Sequence, residues 1–205
     1  MIYIQYILLS FYIQPLKNNR KELYSSHGLY GNNPVYIKTN NVNDKINGSY
    51  EYIQSLLYDN KDVVDFGCGT GISTPPGGLG IDKYPAMLAI ASQLYPFKSF
   101  EYGFAEDWGI DNSVDVVICS FLLHEQKKKN RLGILQNAYR VCRKNVIIID
   151  YDPIGRIINR IDQQEKKYIN NYFQNIDREI HNNFRQYIKE SVIPGYVIMW
   201  NISKI

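Results

Sequence analysis

Residues 65–82, DFGCGTGISTPPGGLGID, constrain the fold of this chain more than any other stretch. An apolar run, DVVDF at 62–66, reads as a buried strand and leads straight into Gly67, Gly69 and Gly71. Glycines at a strand exit allow a sharp turn, and they let a ligand approach the backbone with no Cβ in the way. The spacing is G-x-G-x-G. The dinucleotide fingerprint would need a third glycine at Ile72, and a phosphate loop would need a Gly-Lys pair, which the chain lacks. Asp65, just before the loop, repels phosphate and attracts a cation. Only ten residues separate Gly71 from Asp82, and they include Pro75, Pro76, Gly77 and Gly78. Proline is tolerated only in a helix's first turn, so the first crossover helix should be about one turn or absent.

Short apolar runs and amphipathic stretches alternate through the rest of the chain. LGID (79–82), SFEYGF (99–104), VDVVICSF (114–121) and NVIIIDY (145–151) read as strands. The last is uniformly apolar, as an interior parallel strand should be. PAMLAIASQLY (85–95) reads as a helix with Pro85 in its first turn. Residues 127–142 read as another, with Leu132, Leu135, Ala138, Tyr139 and Cys142 on one face. A third amphipathic stripe runs from Ile157 to Ile180, and two closing strands flank Pro194-Gly195, a pair suited to a type II turn. Before the glycine loop, Ser49 is a helix N-cap candidate for SYEYIQSLLYD, and residues 17–48 are polar and turn-rich. The pattern predicts an α/β open sheet of seven (or six) strands, mostly parallel and Rossmann-like. Helices lie on both faces, the first crossover helix is shortened, and a C-terminal antiparallel hairpin closes the sheet. Two regions are expected: an N-terminal apolar segment with polar loops (1–48) packing on the core, and one domain (49–205). Ligands of such sheets bind at the carboxyl ends of the strands, at the switch point beside the first strand.

Composition excludes several classes. Of 205 residues, 45% are hydrophobic and 21% charged, which is globular rather than disordered. A net charge of +3 permits a nucleic-acid partner without requiring one. Cys68, Cys119 and Cys142 form no C-x-x-C pair, which argues against a zinc site or disulfide framework and for a reducing, cytoplasmic setting. The apolar N-terminal run stops at Pro15, short of the roughly 20 residues that span a bilayer, and no basic region precedes it. We expect no transmembrane segment. Oligomeric state is not encoded in any motif.

Four segments in order carry a family resemblance. VVDFGCGTGIS, LGIDKYPAMLAIA and YGFAEDWGIDNSVDVVICSFLLHE are similar to the successive motifs of class I S-adenosylmethionine-dependent methyltransferases, in the type 11 and quinone-biosynthesis group. NAYRVCRKNVIIIDYDP resembles that group's helix-then-strand signature, with Lys144-Asn145 where the group has a Pro-Gly-Gly turn. The resemblance implies S-adenosyl-L-methionine as cofactor. It implies a site made of Asp65, Gly67, Cys68, Gly69, Gly71, Asp82, Lys83, Met87, Ala105, Glu106 and Ser120. Within it Asp82 would accept from the ribose hydroxyls and Met87 would pack on adenine. Asp65 would accept from the ammonium or orient the loop. Phe104 stands where the group carries an acid, so the adenine edge falls to Glu106 or Asp107, or the ring stacks on Phe104 or Trp108.

His124 follows the fourth strand on the acceptor side. It is the candidate general base, since imidazole titrates near neutrality, and a structural or substrate-shaping role stands beside that reading. The expected reaction is methyl transfer, with a small-molecule acceptor favoured. RNA or protein is the alternative, through the basic run KKKNR at 127–131. A non-catalytic cofactor-binding scaffold is a further alternative. No metal site is expected.

Overall fold

The computed structural model describes residues 62–154 and 166–205. The expected N-terminal segment, the helix after Ser49 and the first part of the 157–180 stripe fall outside those residues. The described elements are β1 (Val63–Phe66), β2 (Leu79–Asp82), α1 (Pro85–Leu94), β3 (Ser99–Tyr102), β4 (Val114–Ser120), α2 (Lys128–Val141), β5 (Cys142–Tyr151), α3 (Lys166–Asn183), β6 (Tyr187–Ile193) and β7 (Val197–Ser203). A single 3₁₀ turn, Leu123–Glu125, sits between β4 and α2.

The strands form one seven-stranded sheet in the order β3-β2-β1-β4-β5-β7-β6. Pairing is parallel from β3 to β5, then antiparallel for β5–β7 and β7–β6. Strand order reverses at β1, whose neighbours are β2 and β4. Two loops therefore leave that edge in opposite directions and open a crevice between them.

The two faces of the sheet are separately apolar. Val64, Phe66, Val117, Cys119, Val146 and Ile148 pack with α2 and α3. On α3 the buried residues Ile169, Tyr172, Ile176 and Ile180 recur at helical spacing and meet that face. Val63, Val116, Ile118, Ile147, Ile149 and Met199 line the opposite face. Asp65 alternates with Val64 and Phe66 along β1, so it points to the same second side as Val63. There Phe100 and Ala91 of α1 approach the glycine loop.

The crossover between β1 and β2 contains no helix. Gly78 N–H donates to the Pro75 carbonyl at 3.0 Å, and Gly77 between them has φ +79°. With Pro76 before it, this is a type II turn, which needs the glycine at that position. Ile193–Tyr196 closes the hairpin in the same way, with Gly195 at φ +74° and a 2.9 Å bond from Tyr196 N–H. The strand boundaries of β5 differ from expectation. Helix α2 ends at Val141 and β5 begins at Cys142, so no turn separates them. The extra residue lies in β5 itself, where the three steps from Cys142 to Asn145 face the two from Val114 to Val116.

Candidate active site

The glycine loop is built by backbone bonds to β2. Gly67 and Cys68 N–H both donate to the Ile81 carbonyl, at 2.8 and 3.0 Å. Gly67, Gly69 and Gly71 all have positive φ, a region that side chains resist. Their surroundings differ. A Cβ on Gly71 would lie 2.5 Å from Phe100 and 3.1 Å from Ala91, and one on Gly67 would meet Leu122 at 2.6 Å. A Cβ on Gly69 would meet none of the described residues within 4 Å. Gly71 is thus required by packing, whereas Gly69 is not crowded by the described residues. Gly71→Ala and Gly69→Ala share a left-handed strain of about 1–2 kcal/mol, but only the first adds an overlap. Calorimetry should show the lower Tm for Gly71→Ala. Equal losses of Tm would contradict this division.

Asp82 closes the loop from the end of β2. Its Oδ2 accepts from Gly69 N–H and its Oδ1 from Tyr84 N–H, both at 2.8 Å. The side chain is nearly buried, at 7% exposure, yet each carboxylate oxygen keeps a further lone pair. Lys83 is half-buried beside it, with Nζ 5.3 Å from the Tyr84 ring. Met87 is buried in the first turn of α1, where its N–H reaches the Tyr84 carbonyl.

Asp65 is turned into the protein, fully buried. Its Oδ2 accepts from the Ser73 and Thr74 hydroxyls at 2.7 and 2.8 Å, which ties the shortened crossover to β1. Burial raises its pKa to about 6 against these stabilising bonds. Its Oδ1 and the Ser120 Oγ at the end of β4 are buried atoms with no hydrogen-bond partner. Both residues lie on the same face of neighbouring strands. Cys68 is buried, and burial pushes its thiol well above the usual range, so it packs as a neutral group. Lys98 donates to the Gly71 carbonyl at 2.9 Å, with its pKa lowered by burial.

The loop after β3 is pinned from α2. Asn137 Nδ2 donates to the Ala105 and Trp108 carbonyls at 2.9 and 3.0 Å, and Arg140 Nη2 reaches the Trp108 and Gly109 carbonyls. Ala105 is buried and Glu106 half-buried near Gly133 of α2. Trp108 is engaged in packing: its ring meets Phe66 edge-on at 5.9 Å and its Nε1 donates to Glu101. Phe104 is 46% exposed at the rim. The glycine loop, Asp82, Met87, Ala105, Glu106 and Ser120 all lie at or just after the carboxyl ends of β1 to β4.

His124 lies in the 3₁₀ turn, buried, with Nδ1 2.7 Å from Asp150 Oδ1. Asp150, fully buried near the end of β5, also accepts from the N–H groups of Leu123, His124 and Tyr151. The partnership with Asp150 was not read from the sequence. The signal was an acid inside an otherwise apolar run, but its partner lies 26 residues away. Phe121, with φ +50°, is another unforeseen feature.

The basic run divides. Lys127, Lys128 and Lys129 are exposed, but Arg131 is fully buried in a bidentate pair with Glu179 of α3, at 2.6 and 2.8 Å. Arg131 is therefore unavailable to an external partner. Among the described residues no helix is long and apolar enough to cross a membrane, and no His, Cys, Asp and Glu side chains group as a metal site.

Residues 64–149 match the model of a methyltransferase domain family. Over 92 residues the chain is 29% identical to "Putative methyltransferase 235L" of Invertebrate iridescent virus 6, covering 38% of this chain and 35% of that protein. The match thus spans about a third of the relative's length. Among solved structures, magnesium protoporphyrin IX methyltransferase of Synechocystis PCC 6803 with bound SAH gives a TM-score of 0.59 at 16% identity, over 91% of this chain and 96% of that one. The PH0226 protein of Pyrococcus horikoshii OT3 gives 0.61 at 14% identity, over 81% and 92%. The plantazolicin methyltransferase BamL, in complex with a triazolic desmethylPZN analog and SAH, gives 0.54 at 14% identity, over 78% and 84%. The methyltransferase-domain match thus spans the motif-bearing strands β1 to β5, and the fold around them is the one shared with these methyltransferase structures.

Proposed function

We propose that this protein transfers a methyl group from S-adenosyl-L-methionine to a small-molecule acceptor. The observation that carries it is Asp82, a carboxylate at the end of β2 already holding Gly69 N–H, with Gly69 uncrowded by the described residues. The cofactor supplies an activated methyl on a sulfonium, so the protein need provide no covalent nucleophile. The residues fit such a molecule. Asp82 has lone pairs for two ribose hydroxyls, and Met87 and Ala105 offer apolar surface for adenine. The orphaned Asp65 Oδ1 and Ser120 Oγ are acceptors suited to an ammonium. The chain's own work is then to orient the two reactants within about 3–3.5 Å and to exclude water.

A small molecule is favoured because Arg131 is withdrawn from the basic run, and because the named acceptors of solved relatives include a porphyrin and a plantazolicin analog. Isothermal titration with S-adenosylmethionine should give saturable heat. Tritiated cofactor added to a fractionated cell extract should label the small-molecule fraction. Label confined to RNA or protein would move the acceptor class. Binding without any transfer would leave a cofactor-binding scaffold, and no binding would remove the reading.

Asp65 should make binding pH-dependent. A carboxyl with a pKa near 6 is partly neutral at pH 5 and ionised at pH 7, and a cation beside it favours the ionised form. Affinity should therefore fall on acidification, by up to about tenfold per pH unit below 6. Titrations at pH 5 and 7 check this, and Asp65→Asn should flatten the difference. In the free protein the sign reverses. A carboxyl whose folded pKa is raised lends its stability below the unfolded value near 4, and loses it as pH rises through about 6.

A further inference from the structure

We propose that Lys98 is a positioning residue for cofactor binding: its ammonium holds the glycine loop in place of the crossover helix that this chain lacks. This rests on the methyl-transfer reading above.

A helix following the glycine loop would do two things for it. Each carbonyl would accept from the N–H four residues on, and the helix N-terminus would bring roughly half a positive charge. For the Gly71 carbonyl that donor would be Pro75, and the next residue is Pro76. Neither has an N–H to give. Lys98 Nζ donates to the Gly71 carbonyl instead, at 2.9 Å and from 27 residues further on. One side chain thus supplies both the donor and a full positive charge.

The lysine is itself held for this contact. Its N–H donates to the Tyr95 carbonyl at 3.0 Å, closing a turn after α1. Pro96 takes the second position of that turn, where its fixed φ fits. Lys98 Nζ lies 4.0 Å from the centroid of the Tyr95 ring, a cation–π contact. Two residues on, Phe100 of β3 packs on the same glycine, 2.5 Å from where a Cβ would stand. The α1–β3 turn and the start of β3 therefore grip Gly71, while Asp82 holds Gly69 N–H. Burial lowers the Lys98 pKa, and the Asp65 charge opposes that loss.

Asp65, the acid before the loop, responds to this ammonium. Burial raises its pKa, the Ser73 and Thr74 hydroxyls and the Lys98 charge lower it, and the Asp82 charge raises it. Cys68 and Cys119 are coupled to it as buried, neutral thiols. Without Lys98, only the two hydroxyls oppose burial and Asp82, so Asp65 takes up its proton at a higher pH. An ammonium also repels a cationic ligand. This one is engaged by the Gly71 carbonyl and offset by Asp65, so losing the loop bond outweighs the relief of repulsion.

The test uses the full chain and S-adenosylmethionine, in titration calorimetry between about pH 5 and 8. Lys98→Met should bind about tenfold more weakly at pH 7, the size of one lost charge-assisted bond. The midpoint of its fall on acidification should move to higher pH than the parent's. Lys98→Arg should bind within about threefold of the parent, because a guanidinium keeps both the donor and the charge. A lysine that only braced the fold would leave the pH midpoint where it is. By linkage, saturating cofactor should slow acetylation of Lys98 by acetic anhydride about tenfold, with Lys144 at the opposite end of the sheet unaffected. Mass spectrometry of the unsubstituted chain reads this whether or not Lys98→Met folds. A folded Lys98→Met binding within twofold of the parent, an unmoved pH midpoint, or acetylation of Lys98 indifferent to cofactor overturns the proposal while cofactor binding stands. Absence of binding by the unsubstituted chain overturns the underlying reading instead.

Discussion

Asp82→Ala is expected to raise the Kd for S-adenosylmethionine by about 100-fold or more, close to 3 kcal/mol. Two losses combine. Hydrogen bonds from the ribose hydroxyls to an ionised acceptor are worth about 1.5–3 kcal/mol each, and both would go. The substitution also frees Gly69 N–H and Tyr84 N–H, each now held at 2.8 Å, so the middle of the glycine loop loses its side-chain tie to the end of β2. Asp82→Asn should recover little, because its amide group would turn a donor toward one of those two N–H donors. Titration calorimetry measures the effect, and circular dichroism confirms that the variant is folded. The loop keeps its bonds from Gly67 and Cys68 to Ile81, so a folded variant is expected. A folded Asp82→Ala protein binding within threefold of the parent would sink the cofactor site as drawn.

What the sequence made legible follows from local rules. The strands LGID and VDVVICS and the helix opening at Pro85 appear where their apolar periods place them. The missing crossover helix was legible because Pro75 and Pro76 cannot continue one, and the structure gives Pro76-Gly77 to a type II turn instead. Long-range chemistry was less legible. Asp65 reads as a loop acid, but its burial and its bonds to Ser73 and Thr74 arise from how the shortened crossover folds back over β1. Asp150 reads as the polar end of an apolar strand, and no local rule connects it to His124 in a turn before α2. Arg131 reads as one charge in a basic run. Helical spacing alone does not say that the fourth position after Lys127 faces inward and meets Glu179, 48 residues on.

That pair carries the largest expected effect on stability. Arg131 Nε and Nη2 grip the Glu179 carboxylate, Nη2 also donates to Asn171, and Nη1 reaches the Gln126 carbonyl at 3.2 Å. The guanidinium is fully buried and the carboxylate 5% exposed, so neither is solvated when its partner is removed. Arg131→Ala should therefore destabilise the fold by about 3–5 kcal/mol, chiefly by stranding a buried carboxylate. At about 2–4 °C per kcal/mol for a chain of this size, Tm should fall by about 10 °C. The double substitution Arg131→Met with Glu179→Leu should recover most of the loss, because an apolar pair of similar volume leaves no charge unpaired. Arg131→Lys should not, since an ammonium cannot reproduce the two parallel bonds to Glu179. Denaturant unfolding of the single and double variants measures the coupling. A single-variant cost below about 1 kcal/mol would mean the pair is effectively solvated, at odds with its burial. The same bonds reach Gln126, two residues beyond His124, so the pair also sets where the 3₁₀ turn sits against α3. A variant that stays folded should show this as a loss of methyl transfer exceeding its loss of cofactor affinity.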